Sequence, residues 1–174
     1  MTQTEWTDRS FNFDFPTGHW PIIISRLKGT FPVLQYIIQY CDPHILTLQN
    51  NNKWSIKQHI GHLTDLEELH ITRISDFRKN TPVLSAWDGT NKKTEEQDHN
   101  NKNIDELLTA FKNIRDTFLG ELLLFTDEEL NKTALHPRLQ KNMRIVDMAF
   151  FVAEHDDHHI TKIREIVELY TGAY

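Results

Sequence analysis

The chain has 174 residues, a length that suits one domain with a sizeable core, so we expect residues 1–174 to form a single domain. A formal net charge of −6 and the lack of a long basic run argue against binding to nucleic acid or to an anionic membrane surface. A single cysteine excludes an internal disulfide, and no apolar run approaches the length of a membrane span. The polar start does not resemble a signal peptide. We therefore expect a cytoplasmic protein that binds a small molecule.

Helical periodicity first appears over residues 21–40 and again over residues 55–78. In the first of these helices, Gly29 and Pro32 predict a kink or a division into two short pieces. The second begins with a serine three residues before Gln58, the pattern of a capping box. Both helices carry apolar residues at helical spacing, which predicts that one face of each packs against a core.

Two further helices are predicted after a long polar connection, residues 80–102. The third helix starts after Asn103 with an a/d-like apolar rhythm, and the fourth covers about residues 144–170. A connection this long can return the chain along a whole bundle, so it favours a crossover between parallel helices. A one-turn helix is predicted at residues 126–130. Four long helices without strands predict an all-α protein, a four-helix bundle.

Histidines interrupt the apolar face of the fourth helix. His155 and His159 continue a stripe formed by Met148, Val152, Ile163 and Ile166. Side chains four residues apart on a helix lie about 5–6 Å from each other, so both rings can reach one transition-metal ion. A single inward histidine is usually a hydrogen-bonded core residue, whereas a pair favours a chelate. The adjacent His158 points about 100° away and is a weaker candidate.

The segment Trp54-Ser55-Ile56-Lys57-Gln58-His59-Ile60-Gly61-His62-Leu63-Thr64-Asp65 resembles the second-helix signature of the DinB/YfiT-like superfamily. The histidines of the fourth helix match the other end of that family's pattern. The resemblance implies an up-down-down-up bundle with a long link between helices two and three. It also implies a divalent metal held by His62, His155 and His159.

Other side chains remain open alternatives around this proposed site. Helical periodicity alone favours His59 or His70 over His62 as the inward residue, so these two are reserve ligands. Asp65 is expected to orient an imidazole, or else to be an exposed carboxylate. The candidate general bases are Asp65, Glu68, Glu154 and Asp157. Trp87 and Asp88 are candidate residues of the pocket wall, and Cys41 is a weak candidate nucleophile.

Three neutral histidines leave a divalent ion with an open coordination position, the arrangement of a catalytic site. Zinc is the first expectation, with nickel, manganese or iron also compatible with imidazole ligands. The resemblance implies a metal-dependent enzyme, either a thiol S-transferase acting with a low-molecular-weight thiol or a hydrolase. A non-enzymatic bundle with a structural metal is the rival hypothesis, and a homodimer is plausible. A ferritin-like di-iron site is disfavoured, because Glu67 and His70 supply only one of the two Glu-x-x-His motifs that it needs.

Overall fold

The computed structural model describes residues 3–50 and 53–172. Over this part of the chain, four long helices and one short helix are joined by turns and a hairpin. The helices are α1 (Trp20–Gln39), α2 (Ile56–Arg78), α3 (Lys92–Glu96), α4 (Ile104–Leu122) and α5 (Ile145–Thr171). The two strands are β1 (Thr133–His136) and β2 (Lys141–Arg144), and short 3-10 helices occupy Trp6–Asp8, Thr17–His19, Pro43–Thr47, His99–Asn101 and Glu129–Asn131.

Two apolar clusters reveal the directions of the long helices. The start of α1 packs with the ends of α2 and α4 and with the start of α5. The end of α1 packs with the starts of α2 and α4 and with the end of α5. Helices α1 and α5 are therefore parallel to each other and antiparallel to α2 and α4. This is the up-down-down-up bundle predicted from the sequence, with the long crossover between the parallel α2 and α4.

The β1–β2 hairpin shows that the expectation of no strands was wrong. The two strands pair antiparallel over four residues each, too short a stretch for a clear alternation of apolar and polar residues. The crossover also contacts β1, because the Leu84 amide donates to the Leu135 carbonyl at 2.9 Å and the Leu135 amide donates to the Pro82 carbonyl at 2.9 Å. The hairpin thus holds the first part of the crossover in place.

Helix boundaries follow the capping residues closely. Ser55 and Gln58 form the predicted capping box at the start of α2, and Asn103 accepts hydrogen bonds from two amides at the start of α4. Gly172 ends α5 in the left-handed conformation with φ of 63°. Helix α1 continues through Pro32, so of the two predicted alternatives the division into two short pieces was wrong, and the kink stays a prediction. Proline leaves one backbone hydrogen bond of the helix unmade, and the packing of the long apolar face compensates for this loss.

A buried charge cluster joins the four long helices at mid-height. The Arg115 guanidinium of α4 donates to Glu67 of α2 at 2.9 Å and to Asp156 of α5 at 3.0 Å. The Thr30 hydroxyl of α1 donates to the same Asp156 at 2.7 Å. Burial acts to lower the pKa of Arg115, but the two carboxylates outweigh it and raise that pKa. Removing one partner from such a cluster would leave an uncompensated buried charge and destabilise the bundle.

Within residues 3–50 and 53–172, the helices all fall short of the combination of length and apolar character that a bilayer span requires.

Candidate metal centre

Three buried histidines converge where α2 meets α5. One nitrogen from each ring of His62, His155 and His159 lies within 4.8 Å of the other two, and the Nε2 atoms of His155 and His159 are 3.0 Å apart. Burial lowers the pKa of His62 to about 3 and lowers the pKa values of the other two well below the usual range. The rings are therefore neutral near pH 7, which is the form that binds metal ions. The structure brings together the three residues that were predicted as ligands.

The position of the His62 proton follows from its neighbours. Its Nδ1 lies 3.0 Å from the Thr94 hydroxyl, which itself donates to Asp65 at 3.0 Å. A carboxylate only accepts hydrogen bonds, so the single hydroxyl proton is used on Asp65 and His62 Nδ1 must donate to the hydroxyl oxygen. The Nε2 atom of the neutral ring then carries a free lone pair. His62 is thus held in the tautomer that a metal ligand needs.

His159 is oriented in a similar way by another histidine. The Nδ1 atoms of His159 and His59 are 2.8 Å apart, so one ring donates to the other. When His159 donates, its Nε2 lone pair faces His155 and His62. His59 therefore contacts the back of a candidate ligand rather than joining the group of three. Three neutral imidazoles that converge in this way match the donor set of zinc and related divalent ions.

The crossover supplies the outer partners of this cluster. Thr94 lies on α3, and His99, on the next turn, donates through Nε2 to Asp65 at 2.8 Å. The His99 ring packs directly on Gly61, where an added Cβ atom would lie 2.2 Å from the ring. Gly61 is thus required by close packing, and Asp65 orients His62 through Thr94 instead of directly. The predicted role of Asp65 as an orienting group fits this geometry.

The histidines open onto a pocket of about 380 Å³. Trp54 covers one side, with its ring centroid 4.6 Å from that of His62. Trp6 packs against His155 with a centroid distance of 4.9 Å. Trp87 from the crossover also lines the pocket, as the sequence suggested, whereas Asp88 does not. Aromatic rings from three separate parts of the chain thus form part of the wall beside the histidine cluster.

The N-terminal segment closes the pocket along α5. Gln3 donates to the His158 carbonyl at 3.5 Å, and Arg9 donates to the Glu154 carboxylate at 2.5 Å. Residues Glu5, Trp6 and Thr7 between these two contacts line the pocket. The segment therefore forms part of the site, although its sequence lacks the periodicity of a helix or strand.

Several predicted candidates lie elsewhere or have other partners. His70 lines the pocket but is outside the group of three. Glu67 binds Arg115, so its carboxylate is not part of a di-iron ligand set. Cys41 lies half-buried with its thiol donating to the Ile37 carbonyl, and burial raises its pKa. It is outside the pocket lining and is not a nucleophile for this site. His158 is buried and lines the pocket.

The four candidate carboxylate bases are also committed to partners. Glu154 pairs with Arg9 and Arg26, and Asp157 pairs with Arg26. Glu68 pairs with Lys93, and Asp65 accepts from Thr94 and His99. None of these four carboxylates belongs to the pocket lining.

Sequence reasoning missed part of the pocket. Trp6, Arg73, His136 and Arg138 all line it and come from different parts of the chain. No local motif links them, so only the three-dimensional fold could identify them. Thr94 and His99 were missed for the same reason, although the length of the connection already indicated a segment that returns the chain along the bundle.

The fold and the cluster define a four-helix bundle with a candidate three-histidine metal centre. The sequence matches the DinB superfamily over residues 3–163, nearly the whole chain. The chain therefore belongs to the DinB superfamily. A comparison with curated proteins finds no significant match.

A solved structure shares this fold. YfiT from Bacillus subtilis, described as a probable metal-dependent hydrolase with an unusual four-helix bundle topology, aligns with a TM-score of 0.74. The alignment covers 95% of each chain at 18% sequence identity. At this identity the likeness establishes the common fold.

Proposed function

We propose that this protein is a metal-dependent enzyme in which His62, His155 and His159 bind a divalent transition metal. The observation that carries the proposal is the convergence of three neutral imidazoles at the wall of a pocket of about 380 Å³. Three histidines are an incomplete set for a structural tetrahedral site and leave one position for a reactant. Zinc is the first choice, and nickel, manganese and iron also accept imidazole ligands. When bound, such an ion lowers the pKa of a coordinated thiol or water and so supplies a nucleophile.

A thiol S-transferase is the finer proposal. Four carboxylates near the ligands in sequence are engaged with other partners, and Glu5 is the only carboxylate among the described lining residues. Transfer of a thiol needs no protein carboxylate if the thiol has already lost its proton. The reaction joins the sulfur of a low-molecular-weight thiol to an electrophilic carbon and releases the leaving group with the proton. The pocket residues bind the two reactants and exclude water.

Hydrolysis is the second candidate, and His158 is the observation that favours it. Its Nδ1 atom is buried without a hydrogen-bond partner among the described residues, and burial lowers the pKa of its ring. A neutral imidazole in the pocket lining can accept a proton from an attacking water. The description of YfiT as a probable metal-dependent hydrolase agrees with this candidate.

Metal analysis tests the proposal directly. We expect about one transition-metal ion per chain in the wild type, loss of that ion in His159→Ala, and its retention in His44→Ala. His44 is an exposed histidine outside the pocket and serves as the matched control. Circular dichroism of each variant establishes that it is folded. A folded wild type that binds none of zinc, nickel, manganese or iron would contradict the proposal.

Activity assays then separate the two candidates. Metal-loaded protein that consumes a thiol only when an electrophile is present supports the transferase. Ester or amide hydrolysis without any thiol, lost in His158→Gln while the metal is retained, supports the hydrolase.

A further inference from the structure

A second group of polar side chains lines the same pocket beyond the metal ligands. Arg73 lies on α2, eleven residues after His62, which corresponds to about 16 Å along the helix axis. His136 ends β1, and Arg138 follows in the hairpin turn. The pocket thus extends from the histidine cluster to a separate region rich in hydrogen-bond donors.

The His136 ring presents an unused donor to this region. The Leu139 amide donates to His136 Nδ1 at 3.2 Å, so the proton of the neutral ring is on Nε2. That Nε2 atom is buried and has no partner among the described residues. Burial, with the nearby charges of Arg73 and Arg138, lowers the pKa of His136 to about 3 and keeps the ring neutral. A buried N–H group without an acceptor is unusual in a folded protein and indicates that a ligand or water fills the place.

Arg73 is a buried cation that forms no ion pair within the described part of the chain. Only 3% of the residue is exposed, and its Nε atom donates to the Ser85 carbonyl at 3.0 Å. Among the described residues, its two terminal nitrogens have no hydrogen-bond partner, and no carboxylate forms an ion pair with it. Burial lowers the pKa of Arg73 to about 10, with Asp76 acting in the opposite direction, so the guanidinium stays charged near pH 7. Such a charge is unfavourable unless an anion compensates it.

Arg138 adds a second guanidinium to the same region. Its Nη1 atom donates to the Thr7 carbonyl at 3.4 Å, while Nη2 is buried and has no partner in residues 3–50 and 53–172. Its guanidinium lies 5.9 Å from the ring centroid of Trp6 and 5.7 Å from that of Phe151. The aromatic rings hold the cation in place, and its Nη2 atom stays available to a ligand.

The pocket as a whole is positively charged, although the chain carries a net charge of −6. Its described lining includes four basic residues and one acidic residue: Lys53, Arg73, Arg138, Lys162 and Glu5. A local excess of this sign attracts an anionic ligand. Among the described residues, the donor nitrogens without a hydrogen-bond partner include both terminal nitrogens of Arg73, Nε2 of His136 and Nη2 of Arg138. A carboxylate offers about four lone-pair sites, and two guanidinium groups match its planar shape.

We propose that Arg73, His136 and Arg138 form a subsite that binds a carboxylate of the substrate. The substrate is then an organic acid whose charged end lies in this subsite while its reactive atom lies at the histidine cluster. The position of the reactive atom at the histidine cluster rests on the proposed function. Binding of the carboxylate itself depends only on the three side chains.

Benzoate and benzamide are suitable probes because they have nearly the same shape and differ in charge. Their binding to the full chain is measured by isothermal titration calorimetry, in parallel on zinc-loaded protein and on protein after chelation. We expect benzoate to bind both forms and benzamide to bind at least about tenfold more weakly. Arg138→Gln, a half-buried turn residue, should remove most of that preference, and Arg73→Gln should do the same if it folds. Arg164→Gln removes the same charge from an exposed position outside the pocket and should change benzoate affinity by less than about twofold.

Equal binding of benzoate and benzamide would overturn the subsite. An equal loss of benzoate affinity in Arg164→Gln and Arg138→Gln would overturn it as well. Tighter binding of phenyl phosphate than of benzoate would replace the carboxylate with a phosphate ester as the ligand. Because the chelated protein is included, the subsite can be supported even if the metal proposal fails. A protein that binds zinc but shows no preference for benzoate refutes the subsite alone.

Discussion

At the scale of single residues, metal binding depends on which nitrogen of each histidine carries the proton as much as on where the histidines lie. The sequence predicted the three ligands, since His155 and His159 follow helical spacing and His62 follows the motif. It could not predict which nitrogen of His62 carries the proton. That is fixed by Thr94, which lies 32 positions away along the chain. Contacts of this kind form only after the crossover has folded against α2.

Thr94→Val tests this orienting chain. The substitution removes the hydroxyl that accepts from His62 and donates to Asp65, so the His62 ring is freer to turn or change tautomer. We expect zinc affinity to fall by about 10–100-fold, the usual effect of losing a partner of a metal-bound histidine. Affinity is measured by competition with a chromophoric chelator. Thr117→Val, an exposed threonine on α4, is the control. Equal zinc affinity in Thr94→Val and Thr117→Val would contradict the orienting role.

At the scale of elements, the long helices were predictable because each carries an apolar face, and α2, α4 and α5 also carry a capping residue at one end. The β1–β2 hairpin was not, because two strands of four residues leave almost no periodic signal. The crossover was identified as long and polar, but its attachment to α2 could not be foreseen. That attachment includes the contact between Gly61 and His99, two residues with no shared local pattern.

Gly61→Ala tests the attachment of the crossover. The new Cβ atom would lie 2.2 Å from the His99 ring, so the ring and its segment must move. We expect a loss of about 1–3 kcal/mol in the free energy of unfolding, together with weaker zinc binding. Urea unfolding followed by circular dichroism measures the first effect.

Gly120→Ala is the matched control for this substitution. Gly120 lies in α4 with no neighbouring atom within 4 Å of an added Cβ. Alanine there should stabilise the protein by about 0.4–1 kcal/mol, because it restricts the unfolded chain without steric conflict. If both alanine variants are stabilised, the packing of His99 on Gly61 does not constrain the crossover.

At the scale of the whole molecule, the bundle contains an unusual concentration of buried histidines. The bundle order was predictable from the family resemblance, with which the one long crossover agreed. The closing N-terminal segment and the positive region around Arg73 were not, since both arise from residues brought together across the whole chain. The homodimer stays a prediction, testable by analytical ultracentrifugation.

The buried histidines make the stability of the metal-free protein depend on pH. Burial is the main cause that lowers the pKa of His59 and of His62 from 6.5 to about 3. Below pH 6.5 the unfolded chain therefore binds protons that the folded chain does not, and stability falls as the pH decreases toward 3. At pH 5 each of these two groups accounts for a loss of about 2 kcal/mol relative to neutral pH. His155 and His159 act in the same direction.

Urea unfolding of the chelated protein at about pH 7.5 and at about pH 5 measures this dependence, because the two values lie on either side of the pKa of about 6.5 of a free histidine. His59→Gln should show a shallower decline than the wild type, since one buried imidazole is removed. A free energy of unfolding that is unchanged between neutral pH and pH 5 would show that these rings become protonated within the fold.

The path of the N-terminal segment has a practical consequence for handling the protein. Gln3, Trp6 and Arg9 already contact α5 or its histidines, so a purification tag joined at the N-terminus would sit within a few residues of the pocket wall. A polyhistidine tag there would add competing imidazoles close to the very groups whose metal content is being measured. A cleavable tag at the C-terminal end, after α5, avoids this interference.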